Sequence, residues 1–382
     1  MRVLHLTRDL PPQSHGGLST AVGGLVRASA RYGLAVAVVS FDAWRPTRTA
    51  APAPCEPRHE DGVEVLRVTH LDHLGAARAF ARDMRPDLLH VHHGMLWPLA
   101  ASLREDLGVP AVKTVHVVQR EMNALRQTSE HTRSLAGQEA ALAAADRIIV
   151  PSRAAAKALQ PYGESLAGRV RVAPHGIDDS PEARASVAAR TKPYDYAPVL
   201  AVGRFDQAKG TSLLFAVLLR ALARIANATA VVAGGVPANL RAELQWRKRW
   251  EVQAPGSVRE RVRFTGWIAP EALAAEYAAA QLLLITSPFE TFGMTALEAM
   301  LFGVPVVTTP NGGVTDLVEH GVAGLVSTFE DPELIAGSAV ALMRDTPRAM
   351  QLGLRGAEIA RKFHLWERRL PTVLSVYREV AS

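Results

Sequence analysis

Cysteine is almost absent. One residue, Cys55, serves 382 positions, so no internal disulfide can form and the chain reads as belonging to a reducing compartment. No run of about 18 apolar residues occurs, which removes a membrane-spanning helix from the expectation and leaves peripheral membrane contact open. The opening Met-Arg-Val-Leu-His-Leu-Thr reads as a strand, not a signal peptide, so a cytoplasmic protein is expected. There is no Asp-x-Asp metal motif, no Walker A sequence, no GxGxxG fingerprint and no heptad array. Charged residues make up only 21%, against 48% hydrophobic, which excludes a disordered chain and allows a sizeable core. The net charge of +6 suits an anionic ligand, whether a nucleoside diphosphate, a membrane surface or nucleic acid, without choosing among them.

What is present is alternation. Short β-branched runs at 3–7, 34–40, 63–69, 88–91, 111–116, 147–150 and 170–173 read as strands, separated by helical patterns such as 18–32, 72–84 and 121–145. The second half repeats the style, with strands at 199–203, 229–233, 262–265, 282–286 and 305–308. Such alternation predicts βαβ units and mostly parallel sheets. The length suits two domains. The Pro- and Arg-rich stretch 44–60 reads as an exposed loop, and 178–198, punctuated by Pro181, Pro193 and Pro198, as an interdomain linker. Residues 1–185, 186–362 and a last helix over 363–382 that returns to the first domain are the expected divisions. In doubly wound sheets ligands sit beyond the carboxyl ends of the strands, so a cleft between two such domains is the default site.

Several segments fall in that zone, and each has a plain structural alternative. Gly16-Gly17 opens a helix after the first strand, where backbone amides can approach an anion; a tight turn explains it equally. Arg204 and Lys209 follow the strand at 199–203 and offer a planar fork and a compact charge for phosphate oxygens; two solvated cations are the alternative. Glu290-Thr-Phe-Gly-Met-Thr-Ala-Leu-Glu298 leaves the strand at 282–286 and enters a helix near Met294. The amides of Gly293, Met294 and Thr295 form an N-terminus suited to phosphate, and the two carboxylates can accept hydroxyl hydrogen bonds. His90 and His92 share a strand face, yet no nearby carboxylate or cysteine completes a zinc set, and a polar strand end is the preferred reading. Trp246-Arg-Lys-Arg-Trp250 interleaves basic and aromatic residues as single-strand nucleic-acid sites do, but in a helical pattern it reads as a solvated face.

The E-x7-E spacing of Glu290 and Glu298 within ETFGMTALEAM resembles the signature of retaining GT-B glycosyltransferases of family 4. Gly16-Gly17, His116 after a strand, Pro174-His175-Gly176-Ile177-Asp178, Arg204/Lys209, Phe264-Thr-Gly-Trp267 and the Gly303–Gly313 run follow in the family's order. Asp316, where relatives usually carry Glu, is a small departure. The resemblance implies two Rossmann-like domains facing a cleft and transfer from a nucleoside-diphosphate sugar, UDP-sugar favoured, to an acceptor hydroxyl of a small natural product or sugar alcohol. It implies that Gly17 gives an amide to the diphosphate, that Arg204 and Lys209 neutralise it, and that Glu290 meets the donor sugar and Glu298 the ribose. Phe292, Gly293, Met294 and Thr295 would hold sugar and phosphate by their backbone, Trp267 and Ile268 would border the base, and His116 would lie near the reacting carbon. No metal, no other cofactor and no nucleic-acid partner are expected. An epimerase or a phosphorylase on the same fold is the rival enzyme, and a nucleic-acid-binding protein the rival outside enzymology.

Overall fold

A computed structural model of the chain describes residues 1–12, 16–41, 55–127, 132–190, 197–235 and 239–381. The chain divides into two units, Met1–Asp178 with Trp366–Ser382, and Asp179–Leu365. The first carries eight strands: β1 (Arg2–Thr7), β2 (Ala35–Ser40), β3 (Arg58–Glu60), β4 (Val63–Arg67), β5 (Leu88–Val91), β6 (Ala111–Thr114), β7 (Arg147–Val150) and β8 (Val170–Val172). They lie in the order β3-β4-β2-β1-β5-β6-β7-β8. All pairings are parallel except β3 with β4. The second unit has β9 (Val199–Val202), β10 (Ala230–Ala233), β11 (Val262–Gly266), β12 (Leu282–Ile285), β13 (Val306–Thr308) and β14 (Gly324–Val326). These form one parallel sheet in the order β11-β10-β9-β12-β13-β14. The mixed α/β class with two parallel-sheet units is as the alternation predicts.

The differences have local causes. The predicted helix 121–145 is two helices, Gln119–Arg126 and Thr132–Ala144. Gln127 takes a left-handed conformation (φ 53°) that no α-helix can continue through. Part of the predicted loop at 44–60 lies outside the described residues, and Arg58–Glu60 is a strand, paired antiparallel to β4 through the turn at Asp61-Gly62. Within the predicted linker 178–198, residues 191–196 lie outside the described residues. Pro181–Ala189, by contrast, is a helix capped by Ser180 Oγ, which accepts from Ala183 N. Buried Arg190 then ties that stretch down by donating to the carbonyls of Tyr277, Ala278, Ala280 and Phe302.

Each sheet supplies a core from its β-branched and leucine side chains. In the first unit the last helix, Trp366–Ala381, completes that core: Trp366, Leu370, Val373, Leu374 and Tyr377 pack with Val3, Leu88, Val112 and Ile149. Burying each such side chain is worth about 1.5–3 kcal/mol. Two glycines make room for the indole of Trp366. A Cβ on Gly24, in the helix Gly17–Arg31, would overlap its Nε1, and one on Gly176 would overlap its ring. Gly24→Ala is therefore expected to destabilise the chain by about 1–3 kcal/mol through overpacking, read as a lowered Tm. Gly75→Ala, whose added methyl meets nothing within 4 Å, is expected to leave Tm unchanged or higher. Equal Tm values for the two variants would contradict this packing of the last helix.

Candidate active site

In the second sheet the chain runs outward from β9 through β10 to β11 on one side, and from β12 through β13 to β14 on the other. The loops that leave β9 and β12 at their carboxyl ends therefore diverge around a crevice, the position where open parallel sheets bind ligands. Arg204, Phe205, Lys209, Thr286, Glu290 and Thr295 line it. After β9, Asp206 caps a short turn by accepting from Ala208 N at 2.9 Å, and this turn carries Lys209. Thr286, just past β12, donates to Gly210 O at 3.1 Å and fastens the two loops together. Lys209 Nζ reaches Glu290 Oε1 at 2.6 Å across the crevice. Arg204 is exposed and has no ion pair among the described residues.

Glu290 is held from behind. Its N–H donates to Asn311 O at 2.8 Å and its carbonyl accepts from Gly313 N at 2.7 Å, so the run Gly303–Gly313 serves as a brace for this loop. Gly293 then turns the chain at φ 99°, and a Cβ there would overlap Val314; this conformation and this contact require glycine. The helix Met294–Leu301 follows, with no side-chain cap on its N-terminus. Phe292, Gly293 and Met294 are buried, and half-buried Thr295 lines the crevice. Glu298, in the second turn of the helix, accepts from the Tyr277 hydroxyl at 2.8 Å. Burial raises its carboxyl pKa to about 7, and the hydrogen bond from Tyr277 opposes that rise. Tyr277, which the sequence motifs do not single out, orients Glu298 through that hydrogen bond.

The loop after β11 adds Trp267, exposed, and Ile268, half-buried. It is anchored by Gly234 N donating to Gly266 O at 2.9 Å. Arg247 lies over the Phe264 ring at 5.7 Å and is paired with Glu243 at 2.6 Å. The basic–aromatic segment 246–250 thus divides between packing and surface: Trp250 is buried in the core while Lys248 and Arg249 are exposed.

In the first unit Gly16 (φ 125°) precedes the helix that starts at Gly17, which has no side-chain cap and no acidic residue in its first turn. His116 lies two residues beyond β6. Its Nε2 is 3.0 Å from His92 Nδ1 and its Nδ1 is 3.3 Å from His175 Nε2. His92 Nε2 is 3.0 Å from His5 Nδ1. His90 instead meets hydroxyls, Tyr377 Oη at Nδ1 and Thr114 Oγ1 at Nε2, both at 2.6 Å. All five rings are buried. Burial lowers their pKa values, to about 3 for His5 and about 4 for His175, with neighbouring imidazoles and Lys113 adding to the fall at His90, His92 and His116. His5, which pairs with His90 across β1 and β5, is a third imidazole the sequence reading of His90 and His92 lacked, and ligand atoms of the three lie within 4.8 Å of one another. Only strand order makes this visible, since β1 and β5 are far apart in the chain. Lys113, fully buried, donates to the carbonyls of His92 and Thr114, and burial lowers its pKa to about 7.

Comparison with known proteins accords with this geometry. Residues 15–180 match the model described as Glycosyltransferase Family 4, and residues 197–345 the model described as Glycosyl transferases group 1. A D-inositol 3-phosphate glycosyltransferase of Acidothermus cellulolyticus is 30% identical over 95% of this chain and 86% of its own length. One from Nocardioides is 28% identical over 95% and 85%. Among solved structures, sucrose-phosphate synthase from Thermosynechococcus elongatus superposes with a TM-score of 0.80 at 23% identity, covering 99% of both chains. Anabaena Alr3699/HepE in complex with UDP-glucose does so at 0.75 and 21%, covering 99% of this chain and 100% of that one. With its two parallel-sheet α/β units of the GT-B type, the chain belongs to the family 4 glycosyltransferases.

Proposed function

We propose that this glycosyltransferase moves a sugar, with retention, from a UDP-sugar to a hydroxyl of a small acceptor such as a sugar alcohol, without a metal ion and in the cytoplasm. The observation that carries the reading is that Arg204 and the Lys209–Glu290 pair line one crevice beside an uncapped helix N-terminus at the switch point of a parallel sheet. Those groups suit a nucleoside diphosphate: a free guanidinium, an ammonium and backbone N–H groups on one side, carboxylates for hydroxyls on the other. UDP is favoured because Alr3699/HepE was solved with UDP and with UDP-glucose. A polyol acceptor is favoured because the curated relatives are named for D-inositol 3-phosphate.

In the proposed reaction the anomeric C–O bond to the diphosphate breaks and a C–O bond to the acceptor oxygen forms on the same face. The acceptor's proton passes to a departing phosphate oxygen. Negative charge grows on the leaving group, and stabilising it is the largest task. Arg204 and Lys209 are assigned to that task, with the N–H groups of Gly293, Met294 and Thr295. When the diphosphate arrives, Lys209 exchanges part of its pairing with Glu290 for phosphate, which leaves Glu290 able to accept from donor-sugar hydroxyls. Glu298 is assigned to the ribose, Trp267 and Ile268 to the edge of the base, and Gly16 and Gly17 to an anion-suited helix start in the first unit.

A screen of nucleotide sugars by thermal shift, followed by turnover with polyol acceptors, tests the whole reading; release of an altered nucleotide sugar without acceptor would instead mark an epimerase. Glu290→Ala is expected to lower turnover more than UDP affinity, and Glu298→Ala chiefly to weaken UDP affinity. Equal losses of affinity in the two variants would refute these assignments.

Activity is expected to survive excess EDTA, while Arg204→Ala and Lys209→Ala each lose about 10²–10³ in rate and stay folded. Loss in EDTA that Mg²⁺ or Mn²⁺ restores would assign the charge to a metal.

Glu298 also predicts a pH dependence that needs no substrate. Its folded pKa, about 7, lies above the usual 4.5. The folded chain therefore keeps the proton that the unfolded chain releases, and stability falls as pH rises between those two values and is level above them. Glu298→Gln is expected to flatten that slope in urea titrations from pH 5 to 8; an unchanged slope would show that Glu298 ionises normally.

A further inference from the structure

Four imidazoles in the first unit meet head to tail. His5 Nδ1 faces His92 Nε2, His92 Nδ1 faces His116 Nε2, and His116 Nδ1 faces His175 Nε2, at 3.0, 3.0 and 3.3 Å. Successive ring planes are tilted by only 7°, 33° and 22°. A neutral imidazole carries one N–H and one bare nitrogen, so a row that always joins Nδ1 to Nε2 is satisfied by neutral rings in either of two senses. In one sense every Nδ1–H donates onward from His5; in the other every Nε2–H donates back toward it. The inner end separates the two. His5 is fully buried, and its Nε2 has no hydrogen-bond partner among the described residues. The second sense would place a proton on that nitrogen and strand an N–H donor, whereas the first leaves only a bare lone pair.

We propose that His5, His92, His116 and His175 form one tautomer-locked hydrogen-bond chain, in which His5 and His92 are positioning residues that fix the proton of His116 on Nδ1. His116 then accepts at Nε2 from His92 and donates at Nδ1 to His175, so its ring is held neutral and in one orientation. The consequence for turnover rests on the proposed transferase reading; the tautomer assignment does not.

A zinc ion on His5, His90 and His92 is the competing reading. Both nitrogens of His90 already meet hydroxyls at 2.6 Å. The group of three contains no carboxylate to offset a divalent charge.

The test is long-range ¹⁵N–¹H correlation at pH 7.5 on the full chain labelled at histidine, with signals assigned from single His→Phe variants. Protonated Nδ1 and bare Nε2 are expected for His5, His92 and His116. His5→Phe keeps a ring but removes the donor. It should shift the His116 ring signals two links away and lower kcat about three- to tenfold through loss of cooperative polarisation, with UDP affinity unchanged. His5→Asn keeps an N–H toward His92 and should return both readouts toward wild type. A proton on Nε2 of His92 or His116, a doubly protonated ring, or stoichiometric zinc in the purified protein would overturn the lock. Equal kcat in His5→Phe and wild type would overturn the positioning role. The spectra decide the lock even where no donor sugar is turned over, so its failure and that of the proposed function are read separately.

Discussion

The contact between Lys209 Nζ and Glu290 Oε1, at 2.6 Å, joins loops that leave the second sheet on opposite sides of its switch point. It adds a charged link to loops that the Thr286–Gly210 hydrogen bond and the pairing of β9 with β12 already hold side by side. The pair is partly buried, in the range where a charge pair must be well oriented to offset its own desolvation. Orientation comes from elsewhere. Asp206 fixes the turn under Lys209, and Asn311 and Gly313 hold the backbone of Glu290 from the β13 side. The glycine-rich run at 303–313 and the motif at 290–298, separate in the sequence, thus work as one device.

The crevice of the second unit carries charged groups, whereas the first unit buries a row of histidines whose pKa values burial lowers. Taking an imidazolium out of water is costly, and five buried histidines close together could not all be charged. Head-to-tail pairing of neutral rings satisfies nearly every nitrogen without any net charge. Lys113 meets the same constraint differently, by binding two backbone carbonyls at the ends of β5 and β6.

The last helix is held by shape. Trp366 fills the space left by the missing side chains of Gly24 and Gly176, and Tyr377 donates or accepts at His90 while closing the core over β5 and β6. A chain segment remote in sequence is therefore part of the environment of the histidines.

Periodicity alone was enough to place most strands within a residue or two, because parallel strands buried on both faces read as β-branched runs. It was also enough to put Arg204, Lys209, Glu290 and the helix at Met294 at strand ends, since those positions follow from local order. The short strands β3 and β14 and the break at Gln127 escaped it; β3 (Arg-His-Glu) holds no β-branched residue, β14 (Gly-Leu-Val) holds one, and a left-handed residue that is not glycine leaves no local mark. What the tertiary structure alone decided is which strand ends meet. His5 finds His92 because β1 lies beside β5, Tyr277 reaches Glu298 because two helices converge, and Asn311 supports Glu290 because β13 lies beside β12. Strand order is fixed by packing across the whole sheet, and no local window of sequence contains it.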